Sequence, residues 1–226
     1  MSKSESSQVP LEFIRLSEGE MLERANSALE RMQTRRSVRH FDPAPVPLEV
    51  LRRCIAAAGT APSGAHKQPW TFCLVTNPEV KRSIRVAAEK EEYENYHGRM
   101  SERWLEDLKA FDTNHLKPHL EDAPALIVVF RQAWTPSEGE AGGKRQNYYV
   151  QESVGIACGM FISALHESGL VSLTHTPSPM DFLSEILHRP SNERAYLLIP
   201  VGYPVSDCSI PDINRKPLEE IMVEFH

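Results

Sequence analysis

The chain has 226 residues, of which 41% are hydrophobic and 25% are charged, the balance of an ordinary globular protein with one sizeable core. The formal net charge of -6 and an isoelectric point near 5.9 argue against nucleic acid or an anionic membrane as a general partner. Basic residues therefore indicate a binding site only where they cluster locally.

Membrane spans and metal sites are also not indicated by the sequence. No run approaches the ~18 apolar residues of a membrane span, and the polar start of the chain has no apolar signal-peptide region. The four cysteines are scattered, without the short Cys and His spacings of zinc sites. We therefore expect a soluble, cytoplasmic protein with free thiols and no bound metal.

The N-terminal end is predicted to be a flexible arm over residues 1–16, ahead of a single domain over residues 17–226. Ser17 and Glu20 have the spacing of a capping box, in which each side chain accepts a hydrogen bond from the backbone of the other residue. A helix is therefore expected from Ser17 to about Gln33.

The following elements alternate between helical and extended patterns. In chain order they are a helix over 48–58, a strand over 70–76, a helix after Asn77, a strand over 125–130, a polar mobile loop over 135–145, a helix over 150–165, and strands over 170–173 and 195–201. This order predicts a mixed α+β fold.

Two of these elements have unusual apolar patterns. The strand over 125–130 is apolar without interruption, which predicts burial on both faces. The helix over 150–165 has apolar side chains in every direction, so it is expected to be buried on all sides. It is either a central core helix or a helix shared with a second subunit, where Gly155 and Gly159 would allow close backbone approach.

Three arginines occur within five residues at Arg35-Arg36-Ser37-Val38-Arg39, in a chain whose net charge is negative. Planar guanidinium groups match phosphate oxygens in pairs, and the Ser37 hydroxyl adds a neutral hydrogen bond. The cluster is therefore a candidate phosphate site. A solvated basic turn after a helix is the alternative interpretation.

Four further segments contain candidate ligand-binding residues: Thr60–His66, Glu91–Tyr96 with Lys117, Thr174–Pro177 and Pro211–Pro217. Each also has an ordinary interpretation when taken alone, namely a turn, a polar surface helix, strand propensity or a surface charge. No Walker loop, dinucleotide fingerprint or zinc-protease motif accompanies them in the sequence.

Together, and in this order, the segments are similar to the flavin site of the nitroreductase family of FMN enzymes. The similarity extends from about Leu29 to Val223. It implies an α+β fold in which helices flank a mixed sheet, an intertwined homodimer, and FMN as the cofactor. The FMN contacts that the resemblance implies are Arg35, Arg36, Ser37, Val38, Arg39, Pro62, Ser63, Thr174, His175, Thr176 and Arg215.

The resemblance also implies individual roles for some of these residues. The hydroxyl of Thr176 would hydrogen-bond flavin N5, and Arg215 would join the arginine cluster on the phosphate. His175 stands where the family commonly has threonine, and we expect no catalytic role for it.

The segment at about 89–120 resembles the lid in the branch of this family that reductively dehalogenates tyrosine. There Glu92, Tyr96 and Lys117 would bind the charged groups of an amino acid, and the backbone N–H of Ala65 would donate to its phenolate. The predicted reaction converts iodotyrosine to tyrosine and iodide, with Ala65 and Thr176 beside the reacting groups.

Two other functions fit the same flavin residues. One is an NAD(P)H-dependent nitroreductase or flavin reductase, in which the lid residues would be incidental. The other is a flavin-binding sensor or storage protein without turnover. The electron donor, whether NAD(P)H or a separate reductase, has no motif in the sequence.

Overall fold

The computed structural model describes residues 8–137 and 143–226. These residues form two compact units, one that ends at Arg35 and one over Arg36–His226. The first unit contains a single long helix, whereas the second contains an antiparallel sheet with helices on both of its faces.

Helix α1 (Glu18–Thr34) begins where the capping box predicts it. The Ser17 hydroxyl accepts a hydrogen bond from the Glu20 backbone N–H at 3.3 Å, and the Glu20 carboxylate accepts one from the Ser17 backbone N–H at 3.0 Å. Residues 8–16 form neither helix nor strand, and residues 1–7 of the predicted arm lie outside the described residues.

The second unit contains the remaining helices and all of the described strands. In chain order they are β1 (Phe41–Asp42), α2 (Leu48–Ala58), β2 (Trp70–Val75), α3 (Pro78–Glu94), α4 (Glu102–Leu108), α5 (His119–Asp122), β3 (Ala125–Gln132), β4 (Trp134–Pro136), β5 (Lys144–Gln146), α6 (Val150–Glu167), β6 (Val171–Ser172), α7 (Asp181–Ile186) and β7 (Glu193–Pro204). A π-turn over Asn95–Arg99 and a 3-10 turn over Lys109–Phe111 lie between α3 and α5. None of the described helices is long and apolar enough to cross a membrane.

Strand β3 lies at the centre of the sheet, with β2 on one side and β7 on the other, and both pairings are antiparallel. Alternate residues of β3 enter two different core layers. Ile127 and Val129 pack in the layer that contains α2 and α6. Leu126 and Val128 pack in the layer that contains α3 and α7. All residues from Ala125 to Phe130 are buried, which confirms the predicted burial on both faces.

The predicted long elements are present, and only short ones were missed. Strands β1, β4 and β5 and helices α4, α5 and α7 have too few residues to show a hydrophobic period. The pairing of β4 with β5 forms a hairpin in place of part of the predicted loop over 135–145. Residues 138–142 of that loop lie outside the described residues.

Helix α6 is not buried on all sides by the described residues of this chain, so it is not a central core helix of a single subunit. Phe161 and Leu165 are fully buried on the side that packs in the core, whereas Ile156 is 47% exposed. At Gly159, an added Cβ would meet no atom of the described residues within 4 Å. The face with Ile156 and Gly159 is therefore open, which favours the interpretation of a helix shared with a second subunit.

Candidate active site

A cleft of about 470 Å³ lies beside the predicted phosphate motif. The backbone N–H of Val38 donates to the carbonyl of Ser172 at 3.1 Å, and this bond ties the motif to the edge of the sheet. Since side chains alternate along an extended chain, Val38 is buried while Ser37 and Arg39 lie in the cleft wall. The other described residues of the wall are His40, Ala110, Phe111, Asp112, Thr113, Asn114, Leu116, Pro118, His119, Ser209, Ile210 and Pro211.

Arg39 has the properties of an anion-binding side chain. Its guanidinium carbon lies 5.6 Å from the centre of the Phe111 ring, a cation–π distance. Burial lowers the pKa of Arg39 from its ordinary value, and the nearby Tyr96 opposes this shift. Among residues 8–137 and 143–226, no carboxylate lies within ion-pair distance of Arg39. Asp112 also lines the cleft, but a half-buried cation that has no ion-pair partner among the described residues fits a phosphate ligand.

The arginine motif also contacts the second predicted arginine segment. The Nη2 atom of Arg36 donates to the carbonyl of Pro211, and Pro211 itself lines the cleft. Arg215 lies four residues further along in the same exposed segment. Arg35 is the C-cap of α1 and ends the first unit. The structure therefore brings Arg36 together with the segment that carries Arg215.

The loop that follows α2 has an unusual concentration of left-handed backbone. Ala65, His66 and Gln68 have φ angles of 49°, 53° and 47°, a region that side chains other than glycine rarely adopt. Gln68 fixes the loop, because its backbone N–H donates to Ser63 Oγ at 2.9 Å and its side-chain amide lies 2.8 Å from His66 Nε2. Such strain persists only where surrounding contacts impose it, and it is common at binding sites.

The same loop leaves one backbone donor available at Ala65. The backbone N–H groups of Gly64, His66, Lys67 and Gln68 all donate to acceptors within the chain. No acceptor for the Ala65 N–H occurs among the described residues. Ala65 is also exposed, so its N–H can donate to a ligand.

Gly64 sits where a side chain would collide with the backbone of a neighbouring segment. An added Cβ would lie 2.7 Å from the carbonyl oxygen of Tyr148 and 3.0 Å from Cδ2 of Tyr149. We expect Gly64→Ala to displace the loop and to lower the free energy of unfolding by about 1–3 kcal/mol. Thermal denaturation measures this effect, and Gly19→Ala, where an added Cβ meets nothing within 4 Å, is the control and should show no loss. A Gly64→Ala protein with unchanged stability would contradict the close approach.

The predicted Thr-His-Thr run alternates between two environments. Thr174 and Thr176 are exposed, whereas His175 between them is buried. The backbone of His175 exchanges two hydrogen bonds with Leu198 at 2.9 and 3.0 Å, which fixes the run against β7. The two threonine hydroxyls are therefore available to a ligand, and the His175 side chain faces the interior.

His175 pairs with a second buried histidine that the sequence patterns did not indicate. The ring of His119 lies 5.4 Å from that of His175, edge to face, and the Nε2 atoms of both rings are buried without a hydrogen-bond partner among the described residues. Burial lowers the pKa of His119 to about 3 and that of His175 well below its ordinary value. Both rings are therefore neutral near pH 7. The described residues contain no group of three or more side chains that could hold a metal.

The structure brings together the three predicted lid residues. The Lys117 ammonium lies 3.3 Å from a Glu92 carboxylate oxygen and 5.3 Å from the centre of the Tyr96 ring. It also donates to Thr113 Oγ1 at 3.3 Å and to the carbonyl of Asn114. The resulting cluster combines one negative and one positive group beside an aromatic ring.

Burial perturbs both charged members of this cluster. Glu92 is 6% exposed and Lys117 is 3% exposed. Burial raises the pKa of Glu92 and lowers that of Lys117, and in each case the opposite charge of the partner counters the shift. The Glu92 carboxylate and the Lys117 ammonium compensate each other in the structure. When an amino acid binds, the carboxylate can pair with its ammonium and the ammonium with its carboxylate, so both buried charges stay compensated.

Two parts of the predicted site do not share this cleft. Of the described residues that line it, none belongs to the loop over 62–65 or to the run over 174–176. Phe111 and His119 do line the cleft, although no sequence pattern indicated either of them. Within one chain, the cleft therefore brings together the arginine motif, the lid segment and the segment over 209–211.

Comparison with known proteins identifies relatives of the whole chain. The model of the nitroreductase family matches residues 32–203. The iodotyrosine deiodinase of Haliscomenobacter hydrossis is 55% identical over 206 residues, which cover 91% of this chain and 92% of that protein. Iodotyrosine deiodinase 1 of Homo sapiens is 44% identical over 218 residues, which cover 95% of this chain and 74% of that protein.

Solved structures show the same relationship. A crystal structure of oxidized iodotyrosine deiodinase bound to FMN and 3-iodo-L-tyrosine superposes with a TM-score of 0.73 at 30% identity, covering 88% of this chain and 98% of that chain. An NAD(P)H nitroreductase-like protein from Bacteroides thetaiotaomicron superposes with a TM-score of 0.63 at 20% identity, covering 89% and 99%, and so supports the fold alone. The family match and the identities agree with the predicted resemblance. The chain therefore belongs to the nitroreductase family, and its sequence groups with the iodotyrosine deiodinases.

Proposed function

We propose that this protein is an FMN enzyme that reductively dehalogenates halogenated tyrosine. The reaction adds two electrons and one proton to iodotyrosine and releases tyrosine and iodide. The observation that carries the proposal is the buried pair of Glu92 and Lys117 beside Tyr96, which is complementary to the two charges of a free amino acid. Further support comes from the relatives named iodotyrosine deiodinases and from the related structure bound to FMN and 3-iodo-L-tyrosine.

FMN fits the donors of this chain. The cleft wall offers a hydroxyl at Ser37 and a half-buried guanidinium at Arg39, which has no carboxylate partner among the described residues; this donor set suits a phosphate dianion. When bound and reduced, FMN supplies the two electrons of the reaction. The residues that would hold it are Arg35, Arg36, Ser37, Val38, Arg39 and Arg215 around the phosphate, and Pro62, Ser63, Thr174, His175 and Thr176 around the flavin ring. The Thr176 hydroxyl would donate at flavin N5.

The substrate is held at both of its ends. The Ala65 N–H, which has no acceptor among the described residues, would donate to the phenolate oxygen and keep the ring ionised. Lys117 would pair with the carboxylate of the amino acid, and Glu92 would pair with its ammonium. Since each buried charge keeps an opposite partner, substrate binding leaves neither of them uncompensated.

The lid over about 89–120 would then close over the substrate. Its closure excludes water and fixes the position of the halogen-bearing carbon. Two contacts already connect the lid segments: Glu89 accepts from the Lys117 backbone N–H at 2.7 Å, and Arg99 pairs with Glu91 at 2.6 Å. The first of these contacts joins α3 to the segment that carries Lys117.

Iodide release is the direct test of this function. The purified protein would be loaded with FMN, reduced chemically without oxygen, and mixed with iodotyrosine. The result then does not depend on the natural electron donor, whether that is NAD(P)H or a reductase. We expect catalytic release of iodide and formation of tyrosine. If the bound flavin is reduced and no iodide appears, while nitroarenes oxidise the flavin rapidly, the protein is a nitroreductase instead.

We also propose that the active enzyme is a homodimer. Ile156 on helix α6 is 47% exposed, and an added Cβ at Gly159 would meet none of the described residues within 4 Å; covering this apolar helix face with a partner surface is therefore favourable. A second subunit also explains why the loop over 62–65 and the run over 174–176 do not line the cleft of their own chain. Each site would combine residues of two subunits.

The dimer predicts a specific effect of a charge on α6. We expect Ile156→Asp to convert the dimer largely to monomer, because a carboxylate buried without a partner costs several kcal/mol. Light scattering after gel filtration measures the mass. Val86→Asp is the control, because Val86 is 63% exposed on α3 and the same change there should leave the mass unaltered. A monomeric parent protein would exclude the proposal.

A reducing compartment such as the cytoplasm is the location that we propose. The four cysteines, Cys54, Cys73, Cys158 and Cys208, are all free thiols. Burial raises the pKa of Cys158 to about 12, so this thiol stays protonated and serves as an apolar core group. Fractionation of the source cells would test this location.

A further inference from the structure

The lid and the phosphate motif both line the same cleft. Ser37 and Arg39 line one part of it, and residues 110–114 of the lid line another part. Anything that binds at Arg39 therefore contacts, or lies directly beside, a segment of the lid. The cleft is not enclosed by the arginine motif alone.

Contacts of the segment over 111–114 connect Arg39 to Lys117. Phe111 lies against the Arg39 guanidinium, with 5.6 Å between the guanidinium carbon and the ring centre. Two residues later, Thr113 Oγ1 accepts a hydrogen bond from the Lys117 ammonium, as does the carbonyl of Asn114. The short segment over 111–114 thus contacts Arg39 at one end and Lys117 at the other.

The charges of the two sites also influence each other. Arg39 and Lys117 are both cations, and Arg39 is one of the groups that lower the pKa of Lys117, after burial as the main cause. An anion bound at Arg39 would offset this repulsion and favour the protonated ammonium. A phosphate in the cleft and a charged Lys117 should therefore stabilise each other.

We propose that Phe111 is a positioning residue that couples phosphate binding at Arg39 to ordering of the lid around Lys117. This inference rests on the proposed function, since the phosphate is that of FMN. Phosphate binding restrains the Arg39 side chain, Arg39 restrains the Phe111 ring, and the segment over 111–114 then holds Lys117 for the carboxylate of the substrate. By reciprocity, an ordered lid also increases the affinity for FMN.

Amide hydrogen exchange of the full chain tests the coupling without any turnover. Peptides that cover residues 109–117 are followed by mass spectrometry in the flavin-free protein, with saturating FMN, and with saturating riboflavin, which has the same ring system but no phosphate. We expect FMN to slow exchange in this segment about threefold more than riboflavin does. Inorganic phosphate alone should slow the same amides in the flavin-free protein.

Variants of Phe111 separate the coupling from simple stability. Phe111→Leu keeps an apolar side chain but removes the ring, and should abolish the difference between FMN and riboflavin. Phe111→Tyr keeps the ring and should retain that difference. Trp104→Leu is the matched control, because Trp104 is a lid aromatic that is 55% exposed and does not line the cleft.

Several outcomes would overturn the inference. Equal protection by FMN and riboflavin in the parent protein would show that the phosphate has no role in ordering the lid. Undiminished coupling in Phe111→Leu would show that the ring has none, and lack of protection by inorganic phosphate would count against the linkage as well. Failure of dehalogenation is a separate result: coupling without iodide release refutes the proposed function alone, and release without coupling refutes this inference alone.

Discussion

Replacing Lys117 with alanine is expected to weaken halotyrosine binding about 30-fold or more, while FMN stays bound. The substitution removes the partner of the substrate carboxylate and leaves Glu92, which is 6% exposed, without its cation. A buried carboxylate in this state takes up a proton or opens the lid, because an uncompensated charge is costly in a low-dielectric environment. Either response removes the charge that would pair with the substrate ammonium.

Two titrations measure the two affinities separately. Halotyrosine is titrated into the FMN-bound protein, and FMN is titrated into the flavin-free protein, with flavin fluorescence as the signal in both. Lys109→Ala is the matched control, because Lys109 is a lid lysine whose ion pair with Glu106 is exposed, with 71% of its side chain accessible. Exposed pairs contribute about 0–1 kcal/mol, so this control should change neither affinity by more than a few-fold. Equal losses of halotyrosine and FMN affinity in Lys117→Ala would refute the role of Lys117 in substrate binding.

The features that could be predicted were those marked by a short sequence pattern or by a motif of the family. The capping box at Ser17 placed the start of α1, and the unbroken apolar run of β3 placed the strand that is buried on both faces. The grouping of Glu92, Tyr96 and Lys117 was predicted from the resemblance together with the four-residue spacing of the first two. The structure then showed that all three side chains lie in contact.

The unpredicted features depend on contacts between distant parts of the chain. The approach of Phe111 to Arg39 leaves no periodic pattern, because neither residue is near the other in sequence. The left-handed backbone at Ala65 is likewise hidden, since a non-glycine residue with positive φ has no compositional signature. Apolarity on every face of α6 indicated burial but could not distinguish a core helix from a helix shared with a second subunit, whereas the structure shows that Ile156 stays 47% exposed within one chain.

Replacing Arg39 with glutamine is expected to weaken FMN binding about 10- to 100-fold and to leave riboflavin binding nearly unchanged. Glutamine keeps a hydrogen-bonding side chain of related length but loses the positive charge, so the loss falls on the phosphate. Because Arg39 also contacts Phe111, the variant should in addition lose the lid protection that FMN confers.

Fluorescence titration of the flavin-free protein with FMN and with riboflavin, at two salt concentrations, distinguishes a phosphate contact from general damage. For the parent protein, the preference for FMN should shrink at high salt, whereas for Arg39→Gln it should already be small. Arg53→Gln is the control, because Arg53 is an exposed arginine paired with Glu49 on α2 and lies outside the cleft wall. If Arg39→Gln weakened FMN and riboflavin equally, the guanidinium would be acting on the ring or on stability, and the phosphate would have to be bound elsewhere. A selective loss of FMN affinity would instead place the phosphate at the one cleft wall where a half-buried cation meets the lid.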